Sequence, residues 1–310
     1  MSVLTPSACE VRTLAIVNPA AGRRAAPRIW QHIRAAVEAT RSWECATSQG
    51  PDHARALAAA AAQGGFERVI AIGGDGTVCE VANGLAGSQT TLGIIPAGTG
   101  NDVCDNLAIP RNPIAAARLA ATGEPRSIDL CQIQTRQRAS YFVNIAGFGF
   151  DAEASWRVNR LPKVVGGTLP YVAGVLQTLW RYRSPRMRVS IDGQHVDRRV
   201  FLVAVGNCPS YAGGMRIVPR AVPNDGLLDV CLVKDLKRID VLRIVPKLYS
   251  GGHVAHPAVE MFRCRSVTAD ADARVLCQAD GELVGELPVR FGILPGALQS
   301  VTGPLPAPVT

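Results

Sequence analysis

The sequence predicts an α/β-plus-β protein: a Rossmann-like domain over residues 1–125, a β-sandwich over 126–295, and a C-terminal stretch, about 296–310, that packs back on the first domain. Three observations predict it. Short β-rich runs alternate with alanine-rich helical stretches as far as about Thr122. After GEPRSID the helices thin out and strand-like runs dominate. A glycine cluster, GGDGT, follows directly on the apolar run RVIAI.

The elements of the first domain follow in order. TLAIVN, WECAT, RVIAI and TLGIIP are short and rich in β-branched residues, as strands are. Between and after them, PRIWQHIRAAVEAT, PDHARALAAAAAQ, TVCEVANGLAG and NPIAAARLAAT carry the helix formers. That alternation is the order of βαβ units around a parallel sheet. In the second domain the strand candidates are DLCQIQ, YFVNIAG, MRVSIDG, RVFLVAVGN, GLLDVCLV, VEMFRCR, RVLCQAD and ELPVRFG. Met187, Val189 and Ile191 alternate with polar neighbours, the mark of a half-buried antiparallel strand. Two helical inserts are expected, near 165–182 and 236–250, and the proline-rich end GPLPAPVT is expected to fray.

Composition narrows the class. At 310 residues, 47% hydrophobic and 19% charged, the chain can form two cores and is too apolar for disorder. No apolar run reaches the roughly 18 residues that span a bilayer, and MSVLTPSACEVR lacks the form of a signal peptide, so a cytoplasmic location is expected. Nine cysteines without a CxxC pair suit reduced core thiols better than disulfides or zinc. His253 and His256 form an HxxH pair beside SGG with no third ligand, which favours a solvated loop.

The net charge of +8 belongs entirely to residues 126–310. Within them, Arg157 to Arg188 holds seven basic residues and no acid, interleaved with apolar ones such as Trp156, Leu176 and Trp180. Two readings stand: a surface for an anionic, greasy partner, or a buried helix YVAGVLQTLW with solvated arginines at its end.

The glycine cluster lies between strand RVIAI and a helix whose Val78, Val81 and Leu85 share a face. A tight strand-to-helix turn accounts for it in structural terms. The functional reading is a ligand loop at the carboxyl end of a strand, where open α/β sheets bind. Glycine lets backbone N–H groups reach a phosphate, the helix N-terminus adds partial positive charge, and Asp75 can hold a metal or a ribose hydroxyl. The spacing is neither Walker A nor GxGxxG.

GGDGT followed by an acid and NGL resembles the catalytic domain of diacylglycerol kinases and their relatives, the soluble bacterial lipid kinases and the sphingosine and ceramide kinases. Further blocks look like the family's, in its order: IVNPAAG (Ile16 to Gly22), PAGTGND (Pro96 to Asp102), NIAGFGFDA (Asn144 to Ala152), NCPSYAGGMRIVPRAVPNDGLLDV (Asn207 to Val230) and ADGE (Ala279 to Glu282). The resemblance implies an NAD kinase/phosphofructokinase-like first domain and ATP in a cleft between the domains. Its contacts would be Asn18, Pro19, Ala20, Ala21 and Gly22; Thr47; Gly74, Asp75, Gly76, Thr77, Val78, Cys79 and Glu80; and Thr99. Asp75 would organise the Mg2+–ATP phosphates, and Glu282 would be the general base on a lipid hydroxyl. A second, structural Mg2+ would take the Asp225 carboxylate and the Val222 and Leu227 carbonyls.

Three departures stand out. Cys79 replaces a usual Asn, Val222 replaces a lysine seen in some members, and TSQGPDHA is about one residue longer than usual, so Ser48 competes with Thr47. The implied partners are ATP, a lipid substrate and an anionic membrane surface approached from the cytoplasmic side. Nucleic acid is not among them, and a homodimer is among the assemblies considered. Two rival readings are an NAD kinase, which shares GGDGT, and a catalytically silent lipid-binding regulator. PAGTGND and NDGLLD favour the lipid branch over the first, and intact Asp75 and Glu282 argue against the second. For Glu282 the structural alternative is an ordinary Asp-Gly hairpin acid, with Asp280 either orienting it or shaping the turn.

Overall fold

The computed structural model describes residues 11–38, 43–159 and 168–305, and the chain divides into two compact units. One runs through Thr99 and takes in Ile109–Arg126 and Leu298–Gly303; the other comprises Gly100–Ala108 and Ser127–Ala297.

The first unit is a βα alternation. Its elements are β1 (Thr13–Val17), a kinked turn α1 (Ala21–Arg24), α2 (Ala26–Glu38), β2 (Trp43–Thr47), α3 (His53–Gln63), β3 (Arg68–Gly73), α4 (Asp75–Leu85) and β4 (Thr91–Pro96). A short α5 (Asp102–Asn106) belongs to the second unit, and α6 (Pro113–Thr122) returns to the first. The strands lie parallel in the order β2-β1-β3-β4. Ile16, Ile70, Ile72, Ile94 and Ile95 are fully buried. Such near-continuous apolar strands belong to sheets covered on both faces. The alanine-rich helices serve close packing: Ala54, Ala58 and Ala61 bury one face of α3, and a Cβ at Gly84 of α4 would lie 2.8 Å from the Ala58 Cβ. Asn112 caps α6 through its side-chain oxygen, with Pro113 in the first turn, a favoured helix start.

The second unit is antiparallel. It holds β5 (Pro125–Thr135), β6 (Ala139–Phe142), β7 (Ile145–Gly149), α7 (Phe150–Asn159), α8 (Thr168–Arg181), β8 (Arg186–Ile191) and β9 (Gln194–Gly206). β10 (Leu228–Lys234), α9 (Arg238–Leu248), β11 (Val259–Cys264), β12 (Ser266–Ala271), β13 (Leu276–Ala279), β14 (Glu282–Glu286) and β15 (Val289–Val301) complete it. β9 turns the corner of the sandwich. Its first half pairs with β8 and its second with β7 and β10, so one strand serves both sheets. Met187, Val189, Ile191, Phe142, Phe148 and Phe291 fill the space between. The end of β15 crosses into the first unit, where Ser300 pairs in parallel with Leu92 of β4.

The α/β-plus-β class is the one observed, and the differences from the sequence reading are local. YFVNIAG is two strands, broken at Val143 and Asn144, whose N–H groups go to the Asp280 carboxylate. ELPVRFG is divided at Pro288, which has no N–H to donate. SVTADA forms β12 although only Val267 and Ala269 turn inward, too small a signal for periodicity. Among the described residues after β5 there are three α-helices, not two: α7 follows β7 directly, its Phe150 stacked on Phe201 and edge-on to Tyr182. His253 is not in a solvated loop. It is fully buried in a 3-10 turn, Nε2 3.0 Å from the Ile217 carbonyl oxygen. The last residues of GPLPAPVT, 306–310, lie outside the described residues.

The basic segment also needs correction. Its charges are unopposed only along the chain: Arg186 forms a two-pronged pair with Asp197, and Arg188 bonds Asp270 and Asp272. Arg160 and Lys163 fall outside the described residues. Of YVAGVLQTLW, Thr178 and Leu179 are buried, whereas Leu176 and Trp180 are exposed.

Candidate active site

In the strand order β2-β1-β3-β4 the chain leaves β1 in one direction and returns to its other side, so β1 and β3 flank a topological switch point. Open α/β sheets bind ligands in the crevice beyond the carboxyl ends of such strands. The register Val17–Ile72 and Ile72–Ile95 brings the ends of β1, β3 and β4 level. The loops that follow are clasped together. Asn18 donates its backbone N–H to the Ile72 carbonyl (3.1 Å) and its Nδ2 to Thr77 Oγ1 (2.9 Å), while its Oδ1 accepts from the Ala20 N–H (3.0 Å).

Glycine is required at two places. Gly22 has φ +56°, and a Cβ there would run into the Ala97 carbonyl. At Gly74 a Cβ would lie 3.1 Å from the Gly98 Cα. The backbones after β1, β3 and β4 thus approach with no room for side chains. Gly74 also stands at the N-cap of α4 without a side chain to cap it, so the positive end of an 11-residue helix opens on this crevice.

Asp75 is half-buried in that first turn, and Pro19, Ala21 and Gly22 are half-buried beside an exposed Ala20. Thr47 is exposed at the end of β2, and Thr99 is exposed after β4. Ser48, the competitor for Thr47's place, is buried, with its N–H on the Val17 carbonyl (2.9 Å). Val78 is buried in the core, so it presents backbone alone. Cys79 is half-buried, and its carbonyl accepts the Asn83 Nδ2 (2.8 Å). The Glu80 carboxylate turns away to cap α3, accepting the Ala54 N–H at 3.0 Å.

In the second unit, Glu282 opens β14 directly after a two-residue hairpin turn. Asp280 and Gly281 both have positive φ, 47° and 86°, the geometry Asp-Gly adopts between twisted strands. Glu282 is exposed. Asp280 is spent on structure: Oδ2 accepts the Val143 N–H (2.9 Å), and Oδ1 accepts those of Asn144 and Ile145 (3.1 Å each). A second brace runs beneath. Gln278 Oε1 accepts the Gly281 N–H (3.0 Å), and its Nε2 donates to Asp151 Oδ2 (3.2 Å). Burial pushes the Asp151 carboxyl up to about 6. Asn144 is tied to Asn106 of α5, which also binds Ser210. Most of these anchors join residues more than a hundred positions apart, from Asp280 to Val143–Ile145, Gln278 to Asp151 and Asn106 to Ser210, and so leave no local signal.

The Asp225 side chain is buried although the residue is only half-buried; its Oδ1 accepts the Leu227 N–H (3.0 Å), and Arg263 pairs with Oδ2. Val222 is buried just upstream. Asp129 accepts the Gly226 and Gly296 N–H groups (2.7 and 2.8 Å), while Asp229 Oδ2 has no hydrogen-bond partner. Burial raises the carboxyls of Asp129 and Asp229. No cluster of three or more His, Cys, Asp or Glu side chains forms a metal cage among the described residues.

Residues 12–133 match the diacylglycerol kinase catalytic domain, and residues 144–302 match the YegS C-terminal NAD kinase beta sandwich-like domain. The "Diacylglycerol kinase" of Mycobacterium tuberculosis (strain CDC 1551 / Oshkosh) is 34% identical over 293 residues, 93% of this chain and 94% of that one. The chain belongs to the diacylglycerol kinase family of lipid kinases. The "Diacylglycerol kinase" of Bacillus subtilis (strain 168) is 32% identical over 229 residues, 73% of this chain and 74% of its own. A solved structure from Bacillus anthracis str. Sterne described as a diacylglycerol kinase matches with TM-score 0.73 at 21% identity, covering 96% of this chain and 99% of that one, and so shows the shared fold. Family membership makes the chain an ATP-dependent phosphotransferase and sets aside the NAD kinase reading.

Proposed function

We propose that the chain transfers the γ-phosphoryl group of ATP to the hydroxyl of diacylglycerol or a similar long-chain lipid alcohol. The observation that carries this is the clasp of Asn18 and Thr77 at the switch point, which lines a glycine-walled crevice with a helix N-terminus, the chemistry a polyphosphate needs. Asn18 to Gly22, Thr47, Gly74 to Cys79 and Thr99 hold the nucleotide; Glu80 acts on the loop through its cap on α3. The loop's backbone groups orient the triphosphate for in-line transfer. Glu282 takes the proton of the lipid hydroxyl as its oxygen bonds to the γ-phosphorus and the bond to the β-phosphate oxygen breaks, releasing ADP.

The residues that the family implies for magnesium, at two places, carry the oxygen donors such an ion takes. Asp75, in the first turn of α4, would offer a carboxylate beside the phosphates. At the second place the donors are all oxygen, one carboxylate and two carbonyls, as a hard cation prefers. There Arg263 pairs with the Asp225 and Asp229 carboxylates, Asp129 accepts backbone N–H groups beside them, and Asp229 Oδ2, 3.6 Å from the Arg263 Nε, has an ion pair but no hydrogen bond. A bound magnesium supplies charge neutralisation at the phosphates. Asp225 with the Val222 and Leu227 carbonyls would hold the structural ion.

No helix among the described residues is long and apolar enough to cross a membrane. Because the proposed acceptor is a bilayer lipid, the reading is of a cytoplasmic enzyme acting peripherally at the anionic inner face of the membrane that holds it. The test is radiolabelled ATP offered with diacylglycerol, monoacylglycerol, sphingosine, ceramide, undecaprenol, phosphatidylglycerol and NAD. Label in diacylglycerol or another neutral lipid alcohol supports the proposal. Label in NAD alone, or in none, overturns it.

A further inference from the structure

Nine large hydrophobic residues are exposed among the described residues, and six of them lie on α8 or on α9 and its C-cap: Leu176, Trp180, Ile239, Leu242, Val245 and Tyr249. Scattered singly, such residues would need no explanation; gathered on two helices, they mark an interaction surface. The exposures are large: Trp180 is 69% exposed, Tyr249 57% and Ile239 51%.

The two helices are joined where the patch begins. Arg238, in the first turn of α9, donates to the Leu179 and Trp180 carbonyls at the end of α8 (3.3 and 2.8 Å), and its guanidinium lies 5.4 Å from the Trp180 ring centroid. One side chain thus satisfies the terminal carbonyls of α8 and holds the indole against α9. α9 is apolar on two sides. Val241 and Ile244 are buried and Leu248 is packed against the core, whereas Ile239, Leu242 and Val245 point outward at three-residue spacing. A helix that needs only its inner face for the fold has no folding reason to carry the outer stripe.

The charges around the patch choose its occupant. Exposed Arg181, Arg183, Lys237, Arg243 and Lys247 lie on or next to the same two helices; of the acids there, Asp240 pairs with Arg243 at 3.4 Å and Asp235 lies before α9. Two copies of this chain meeting face to face would oppose their cationic rims, which like-charge repulsion disfavours. An anionic bilayer accepts both the basic rim and the apolar stripe, and Trp and Tyr are the side chains suited to its interface.

We infer that the exposed faces of α8 and α9 form the membrane-docking surface, with Trp180, Ile239 and Leu242 entering the headgroup layer of an anionic bilayer. This rests on the reading that the acceptor is a bilayer-borne lipid. It moves the contact from the whole basic segment to two helices, and it excludes Arg186 and Arg188, which are paired with carboxylates on the sandwich.

The test uses the full chain with vesicles of phosphatidylcholine, with and without phosphatidylglycerol. Wild-type protein should bind the anionic vesicles with a blue shift in tryptophan emission. The shift should vanish in Trp180→Phe. A variant carrying Trp180→Ser, Ile239→Ser and Leu242→Ser should bind about tenfold more weakly or worse. Arg183→Gln with Arg243→Gln and Lys247→Gln should lose the salt-sensitive part of the affinity. Far-UV circular dichroism and transfer to short-chain diacylglycerol in detergent should match wild type in both variants. The inference is overturned if the serine variant binds like wild type, if neutral and anionic vesicles bind equally, or if the serine variant merely turns a dimer into a monomer with vesicle binding intact. Absence of transfer to any dispersed acceptor would instead overturn the lipid-kinase reading, while vesicle binding is read separately.

Discussion

Asp280→Asn should loosen the hairpin that carries Glu282. The Asp280 carboxylate accepts three backbone N–H groups, from Val143, Asn144 and Ile145. Asparagine keeps one oxygen, which can still serve Asn144 and Ile145, but turns its NH2 toward the Val143 N–H, donor against donor. One bond to a charged acceptor is lost, worth about 1.5–3 kcal/mol, and two others weaken toward the neutral value. Because Asp280 is only half-buried, solvent relieves part of this, leaving about 2–4 kcal/mol of destabilisation. A base displaced by about 1 Å costs on the order of 10²-fold in rate. Urea denaturation and kcat, measured on the same preparation with diacylglycerol micelles, should both move. Glu282→Gln is the control: that side chain is exposed, so its urea midpoint should stay put. If Asp280→Asn leaves both midpoint and kcat unchanged, the three bonds do not hold the hairpin and the reasoning fails.

Two other changes probe the remaining parts. Gly22→Ala forces a side chain into φ +56° and against the Ala97 carbonyl, so it should cost about 2–4 kcal/mol and weaken ATP binding at least about tenfold by calorimetry; unchanged affinity in the folded variant would remove the close-approach argument. For Asp151 the folded carboxyl titrates near 6 and the unfolded one near its ordinary value of about 3.9, so the folded state binds the extra proton between them and stability falls as pH rises through that window. Asp151→Asn should remove that fall and, after losing one hydrogen bond, gain about 1–2 kcal/mol at pH 8; an identical pH slope in both proteins would contradict the assignment.

The parts of the site that depend on local backbone were legible. Glycines after a strand announce close approach, so Gly74 and Asp75 could be singled out from the GGDGT cluster, whereas Gly22 came only with the family resemblance. Strand ends in a βα alternation have fixed directions, which placed the loops at one edge of the sheet. What escaped depends on contacts distant in sequence. Asp280 reads as a turn residue with a spare carboxylate until its partners, Val143 to Ile145, are seen. The basic run reads as unopposed because Asp197, Asp270 and Asp272 come from other strands. His253 looks solvated because its carbonyl partner, Ile217, is 36 residues away. The outer stripe of α9 has helical period, yet so does the inner one, and only burial tells them apart.

The central claim is that Glu282 takes the proton from a lipid hydroxyl as ATP is cleaved. The direct measurement is kcat for transfer from labelled ATP to the lipid identified by the panel, in wild type and Glu282→Gln, with ATP Kd determined alongside. Glutamine keeps the size and cannot accept the proton, so kcat should fall about 10²- to 10⁴-fold with ATP Kd nearly unchanged. Near-normal kcat with chemistry rate-limiting would make Glu282 a hairpin residue and contradict the account.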